Sequence, residues 1–90
     1  MMIDMTRPQS PHDIVTFMKK VVAAEARIPD TSIDEDKSFH QFGLDSISSI
    51  YLLEKVENEY NVTISPLYFW DYPTLRLLAS QIFDENFRQP

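Results

Sequence analysis

Apolar residues recur at helical spacing in three stretches of this chain. Ile14, Val15, Met18, Val21 and Val22 form the first stripe, with Lys19 and Lys20 outside it. Ser10 is placed to cap that helix, Pro11 suits its first position, and Asp13 favours the positive end of its dipole. Pro29 is expected to end it by about Ile28. A second helix is predicted from about Asp45 to Tyr60. Thr74 is predicted to cap a last one, Leu75 to about Phe83, with Leu75, Leu78, Ala79 and Ile82 on one face. Between these two, "NVTISP" reads as a connection tucked down by Val62 and Ile64. "PLYFWDYP" reads as one short helical turn between two prolines.

The pattern predicts an all-α fold: a small four-helix bundle of three main helices and one short one, with a long first loop. That loop, residues 29–43, exceeds the length at which unstructured connections become uncommon, about 12 residues, and such loops are often functional. Ile33, Phe39 and Phe42 are its expected apolar anchors, and the acidic "DEDK" between them is most simply a solvated turn. Residues 10–84 are taken as the domain, with tails at 1–9 and 85–90.

At about 100° per residue, Ser49, Leu52, Leu53, Val56 and Tyr60 of the second helix share one arc, which is its core face. Ile47, Tyr51, Glu54 and Asn58 lie on another side. Ile47 and Tyr51 are thus two large apolar groups that the core does not claim. Either the long loop or the short helix covers them, or they begin a strip that binds a partner. Periodicity alone leaves both open.

Composition narrows the function classes. Ninety residues make one domain, and a chain this short buries only about 60% of its unfolded surface, too little for a deep enclosed pocket. A formal charge of −6 repels phosphate backbones, so nucleic acid is an unexpected partner. No apolar run approaches the ~20 residues of a membrane span, and "MMIDMTRPQS" lacks the features of a signal peptide. No membrane partner is therefore expected. The chain has no cysteine, which excludes disulfides and thiolate metal sites and fits a cytoplasmic setting. His12 and His40 lack the paired spacing of a metal site.

Candidate chemistry gathers in "FGLDSISSIYLL", residues 42–53, which holds the chain's single glycine. Gly43 permits the positive φ or close backbone approach that a sharp loop-to-helix entry requires. Ser48 falls on a polar side and Ser49 on the core arc. Ser46 alone sits at the helix start, near unpaired N–H groups and the positive dipole end, where a phosphate is favoured. On local pattern alone, capping remains the better account of "GLDS".

The wider context changes that balance. "GLDSI" after a long loop, then "EKVENEYNVTI", then "FWDYPTLRLLASQI", in that order over about residues 10–84, resembles the acyl carrier protein family. The "DYPT" segment is most similar to polyketide-synthase carriers. The resemblance implies that a phosphopantetheinyl transferase joins 4′-phosphopantetheine from coenzyme A to the Ser46 hydroxyl, with Mg²⁺ belonging to the transferase. Ser46 is then an attachment point, and the arm's terminal thiol supplies the thioester chemistry that a cysteine-free chain lacks. Gly43, Leu44 and Asp45 complete the family's attachment motif, Asp45 serving helix entry and contact with the transferase. Ile47 matches a partner contact. Tyr51 departs from the acidic residue that many fatty-acid carriers have, so the strip reads Ile47, Tyr51, Glu54, with Glu57 nearby. The implied partners are ketosynthases, acyltransferases or other acyl-processing enzymes that accept an aromatic side chain.

Several other readings follow from the same residues. A peptidyl carrier shares the fold but often has Gly-Gly before the motif, where this chain has one glycine. An unmodified helical interaction module would keep the fold without the arm. A hydrolase built from Ser46, His40 and Asp45 lacks the G-x-S-x-G elbow and any enclosure. Tyr68, Phe69, Trp70 and Tyr72 are expected to pack in the core and against loops rather than stack on bases. A groove sheltering an acyl chain would be lined by Phe42, Ile50, Leu67 and Trp70. The terminal Met and the end near the last helix suggest a free-standing carrier, with an excised synthase domain as the alternative, and a monomer is the simpler expectation for a shuttle.

Overall fold

A computed structural model describes residues 7–43 and 46–87. Four helices follow one another: α1 (Pro11–Ala26), α2 (Ser46–Tyr60), the short α3 (Tyr68–Asp71) and α4 (Leu75–Asn86). Two 3₁₀ turns, Asp30–Ser32 and Phe39–Phe42, interrupt the long first loop. Tyr60 at the end of α2 stacks edge-on with Phe17 of α1, and its hydroxyl donates to the Asp13 carbonyl. The two helices therefore run antiparallel.

The core is the meeting of three stripes. Ile14, Met18 and Val22 of α1, Leu52 and Val56 of α2, and Leu75, Leu78 and Ile82 of α4 are all essentially inaccessible to solvent. Each such side chain contributes about 1.5–3 kcal/mol by leaving water. Ile33 and Phe39 from the long loop and Ile64 after α2 are buried on the same cluster, as expected of loop anchors. Val62 packs partly buried beside it.

The helix ends show where local pattern is insufficient. Ser10 is extended but makes no side-chain cap; the Asp13 carboxylate instead accepts the Gln9 N–H at 2.7 Å. The two acceptors serve different donors: a cap serine would take an N–H of the first turn, whereas Asp13 reaches back to the residue before the cap, and the Asp13 N–H itself goes to the Ser10 carbonyl. α1 stops at Ala26, short of the end expected from Pro29, because Arg27 turns left-handed (φ 58°) and the Ile28 N–H reaches back to the Ala23 carbonyl. Asn61 ends α2 in the same way, with φ 56° and the Val62 N–H donating to the Glu57 carbonyl. Both are six-to-one closures that satisfy a last-turn carbonyl. Thr74 caps α4 as expected, its hydroxyl accepting the Leu77 N–H at 3.2 Å.

Segments expected in the tails belong partly to the bundle. α4 runs to Asn86, beyond the end expected at Phe83, because Phe87 is buried against Tyr60 and Phe83. The Arg7 guanidinium lies over the Phe87 ring and donates to its carbonyl, and Pro8 is buried. The remaining tail residues, 1–6 and 88–90, lie outside the described residues.

Candidate functional site

The chain enters α2 through Gly43. Its φ is +74°, and a Cβ built there would meet nothing within 4 Å. Of the two uses for a glycine at this point, the positive φ is the operative one and close approach is not. Ser46 is the first residue of α2, where backbone N–H groups lack intrahelical partners. Leu44, Asp45 and the side chains of His40, Phe42 and Ser46 lie outside the described residues.

The loop that delivers Gly43 is fastened to the junction between α3 and α4. The Phe39 N–H donates to the Pro73 carbonyl at 3.0 Å, and Ser38 pairs with Thr74 in an isolated antiparallel bridge. The Phe39 ring meets Phe69 of α3 edge-on at 4.6 Å. The "DYPT" segment thus does more than separate two helices. Pro73 and Thr74 present backbone to the loop while Thr74 also caps α4.

Charge adds a second fastening. Arg76, in the first turn of α4, donates through Nε to Asp36 at 2.6 Å and through Nη2 to Glu35 at 2.9 Å. Its own N–H donates to the Glu35 carbonyl at 3.0 Å. The acidic turn expected to be merely solvated is therefore a clasp, because two carboxylates converge on one guanidinium in fork geometry. The hydrogen bond from Arg76 holds the Asp36 carboxyl below the usual carboxylate range, and the same contact pushes the Arg76 guanidinium up. Arg76 does not stand out in the sequence patterns. The available signal is a lone base in the first turn of α4, where the dipole favours acids, so that it calls for a counter-charge.

Beyond Ser46, α2 presents an uncovered apolar face. Ile47 is 79% exposed and Tyr51 39%, so neither the long loop nor α3 closes over them. Lys55 stands one turn on, its Nζ 5.2 Å from the centre of the Tyr51 ring. Glu54 is exposed, whereas a Glu57 carboxylate oxygen accepts the Ile64 N–H at 2.8 Å. Glu57 thus holds the connection after α2 in place.

Around α3 the aromatic residues divide. Tyr68, Phe69 and Tyr72 pack partly buried, and the Tyr68 hydroxyl donates to Glu85 of α4. Trp70, expected to pack inside, is 71% exposed, and Leu67 and Ile50 are exposed with it. Three of the four residues expected to line an acyl groove therefore face outward, the fourth being Phe42. Among the described residues, no helix is long and apolar enough to cross a membrane.

Comparison with known proteins bears on this arrangement. The family described as "phosphopantetheine attachment site" matches residues 17–82. The chain is 28% identical over 65 residues to a phenolphthiocerol/phthiocerol polyketide synthase subunit from Mycobacterium tuberculosis, covering 72% of this chain but only 4% of that much longer protein. Among solved structures, a free-standing peptidyl carrier protein from Acinetobacter baumannii superposes with a TM-score of 0.80 at 29% identity, covering 87% of this chain and 98% of that one. An acyl carrier protein from Anabaena sp. PCC 7120 with a variant phosphopantetheinylation-site sequence gives a TM-score of 0.81 at 25% identity, over 88% and 90% of the two chains.

Proposed function

The chain belongs to the phosphopantetheine-attachment family of non-catalytic carriers, and from that premise we propose that Ser46 bears the 4′-phosphopantetheine and that the domain shuttles acyl groups in polyketide or related acyl-chain assembly. The observation carrying this reading is the position of the motif. "GLDS" falls within the matched residues, with Gly43 in the left-handed turn and Ser46 opening α2.

The residues present suit the group. A serine at a helix start offers a hydroxyl beside unpaired N–H donors, which favour the negative charge of a phosphodiester. In loading, the Ser46 oxygen bonds to the phosphorus of coenzyme A's phosphopantetheine, and adenosine 3′,5′-bisphosphate departs. The transferase supplies the Mg²⁺ for that step. Once attached, the group supplies the terminal thiol on which an acyl chain is carried as a thioester. The chain's own part is to deliver Ser46 to the start of α2, by way of the Phe39 and Arg76 fastenings, and to offer a surface to partner enzymes.

Ile47, Tyr51 and Glu54 form that surface, because they follow Ser46 along the uncovered side of α2. Ketosynthases, acyltransferases or other acyl-processing enzymes are the partners, with the transferase as the first of them. The similarity to a peptidyl carrier protein supports a second reading, in which the cargo is an aminoacyl group.

Intact mass spectrometry tests the attachment. After incubation with coenzyme A, Mg²⁺ and a broad-specificity phosphopantetheinyl transferase, the wild-type chain gains one phosphopantetheine and Ser46→Ala gains none. No adduct, under conditions that load a control carrier, overturns the reading in favour of an unmodified interaction module. The mass of the species recovered on the holo protein from its native host separates acyl from aminoacyl cargo.

A further inference from the structure

On the side of α2 that carries Tyr51, the antiparallel α1 and α2 leave an open groove between them of about 630 Å³. Its walls have helical periodicity. Phe17, Val21 and Ala24 of α1 and Tyr51, Lys55 and Asn58 of α2 line it, each set spaced four and then three residues apart. Two such stripes, each spanning about 10 Å of helix, form the seam that receives a third helix. Ala24 leaves room for close approach at one end, and the Phe17 ring gives apolar contact at the other.

The charge at this groove contrasts with that of the chain. Lys20, Arg27 and Lys55 border it against only Glu25 and Glu59, so its balance is positive in a chain of net charge −6. The Arg76 guanidinium is engaged by carboxylates, but among the described residues Lys20, Arg27 and Lys55 have no carboxylate partner. The contact recorded for Lys55 is the Tyr51 ring, which leaves its ammonium able to accept an anion. A small molecule would gain little in an open cleft without a buried polar anchor. A helix with an apolar stripe between carboxylates would satisfy both the seam and the bases.

We infer that the α1–α2 groove docks an acidic amphipathic helix of a partner protein, about three turns long, with apolar residues against Phe17, Val21 and Tyr51 and carboxylates toward Lys20, Arg27 and Lys55. Tyr51 lies five residues from Ser46, about 7.5 Å along the helix axis, so an occupant would sit beside the attachment end. Ile47, 79% exposed, is not among the residues lining the groove, so a partner held here leaves it uncovered. The inference rests on the groove and stands whether or not Ser46 is modified.

Panning a displayed library of 12–16-residue helical peptides against the full purified chain tests it. The expected peptides carry apolar residues at helical spacing flanked by Asp and Glu. They shift the amide resonances of Phe17, Val21, Ala24 and Tyr51 of the isotope-labelled protein. They bind Lys20→Glu about tenfold more weakly, while the charge-matched control Lys37→Glu, in the exposed loop, binds as wild type does. A failure to enrich helical peptides overturns the inference. So do basic peptides, equal loss in the two variants, or resonance shifts confined to Ile47, Leu67 and Trp70. Concentration-dependent shifts of the groove in the free protein overturn it too, because they assign the groove to a second copy of the chain. None of these results bears on phosphopantetheine loading, which the mass measurement reads separately.

Discussion

Arg76 and Asp36 lie 40 residues apart in the chain and 2.6 Å apart in the fold. Together with Glu35, this pair ties the middle of the long loop to the first turn of α4. The loop's lower end is held by Phe39, and Gly43 and Ser46 follow directly. The clasp thus acts on the approach to α2 rather than on the core.

Arg76→Gln is expected to loosen that approach with little effect on global stability, since exposed ion pairs contribute weakly. Amide exchange should accelerate at residues 35–39 while the melting temperature stays within about 2 °C of wild type. The pH dependence has a definite sign. Asp36 has a lowered folded-state pKa, so the clasp is complete above the ordinary carboxylate value of about 3.9 and is lost as pH falls through the lower folded value. The added exchange should therefore appear in wild type only in acid. Unchanged exchange in Arg76→Gln at neutral pH would count against the clasp.

Gly43→Ala is expected to destabilise the fold by about 1 kcal/mol, since its φ of +74° is costly for an L side chain even in open space. Gly43→Asn should cost less, because asparagine tolerates the left-handed region. Urea midpoints of the two variants check the order. An alanine variant as stable as wild type would show that the turn readily relaxes.

Tyr60 links α2 to both neighbours, and its hydroxyl pKa is pushed up to about 12 by burial, then by the nearby Glu59 and Asp13. A raised folded-state value means that its contribution is full below about pH 10, the ordinary tyrosine value, and is lost as pH rises through 12. Tyr60→Phe keeps the rings on Phe17 and Phe87 and should remove part of the alkaline loss of stability. Ultraviolet titration of wild type should show a phenol ionising above the ordinary tyrosine value that Tyr60→Phe lacks.

Tyr51→Glu is expected to reduce transfer to the native partner enzyme about tenfold, a common effect of losing an aromatic interface contact. Loading by a broad-specificity transferase and thermal stability should change little. Equal transfer kinetics for variant and wild type would remove Tyr51 from the docking strip.

Local interactions were the legible part of this fold. The Thr74 cap and the face of Leu75, Leu78, Ala79 and Ile82 depend on residues within two turns, so spacing alone predicts them. The core arc of α2 was equally plain at Leu52, Leu53 and Val56. Periodicity also separated Ile47 and Tyr51 from that arc, but whether anything covers them depends on where a distant loop comes to rest. The Arg76 clasp had only an indirect mark, a base at the wrong end of a helix dipole. Arg27 had none, since a left-handed arginine is selected by the helix closure around it and not by its own preference.

Arg27 consequently serves two ends with opposed requirements. Its backbone sits where glycine is most at ease, and its side chain stands at the positive mouth of the α1–α2 groove. A glycine there would relieve the closure of α1 and strip a charge from the proposed docking seam in one change. Selection for a sturdier scaffold and selection for a loyal partner would pull this position in different directions. At this one position the closure of α1 and the proposed docking seam ask for different residue types, and no single side chain meets both.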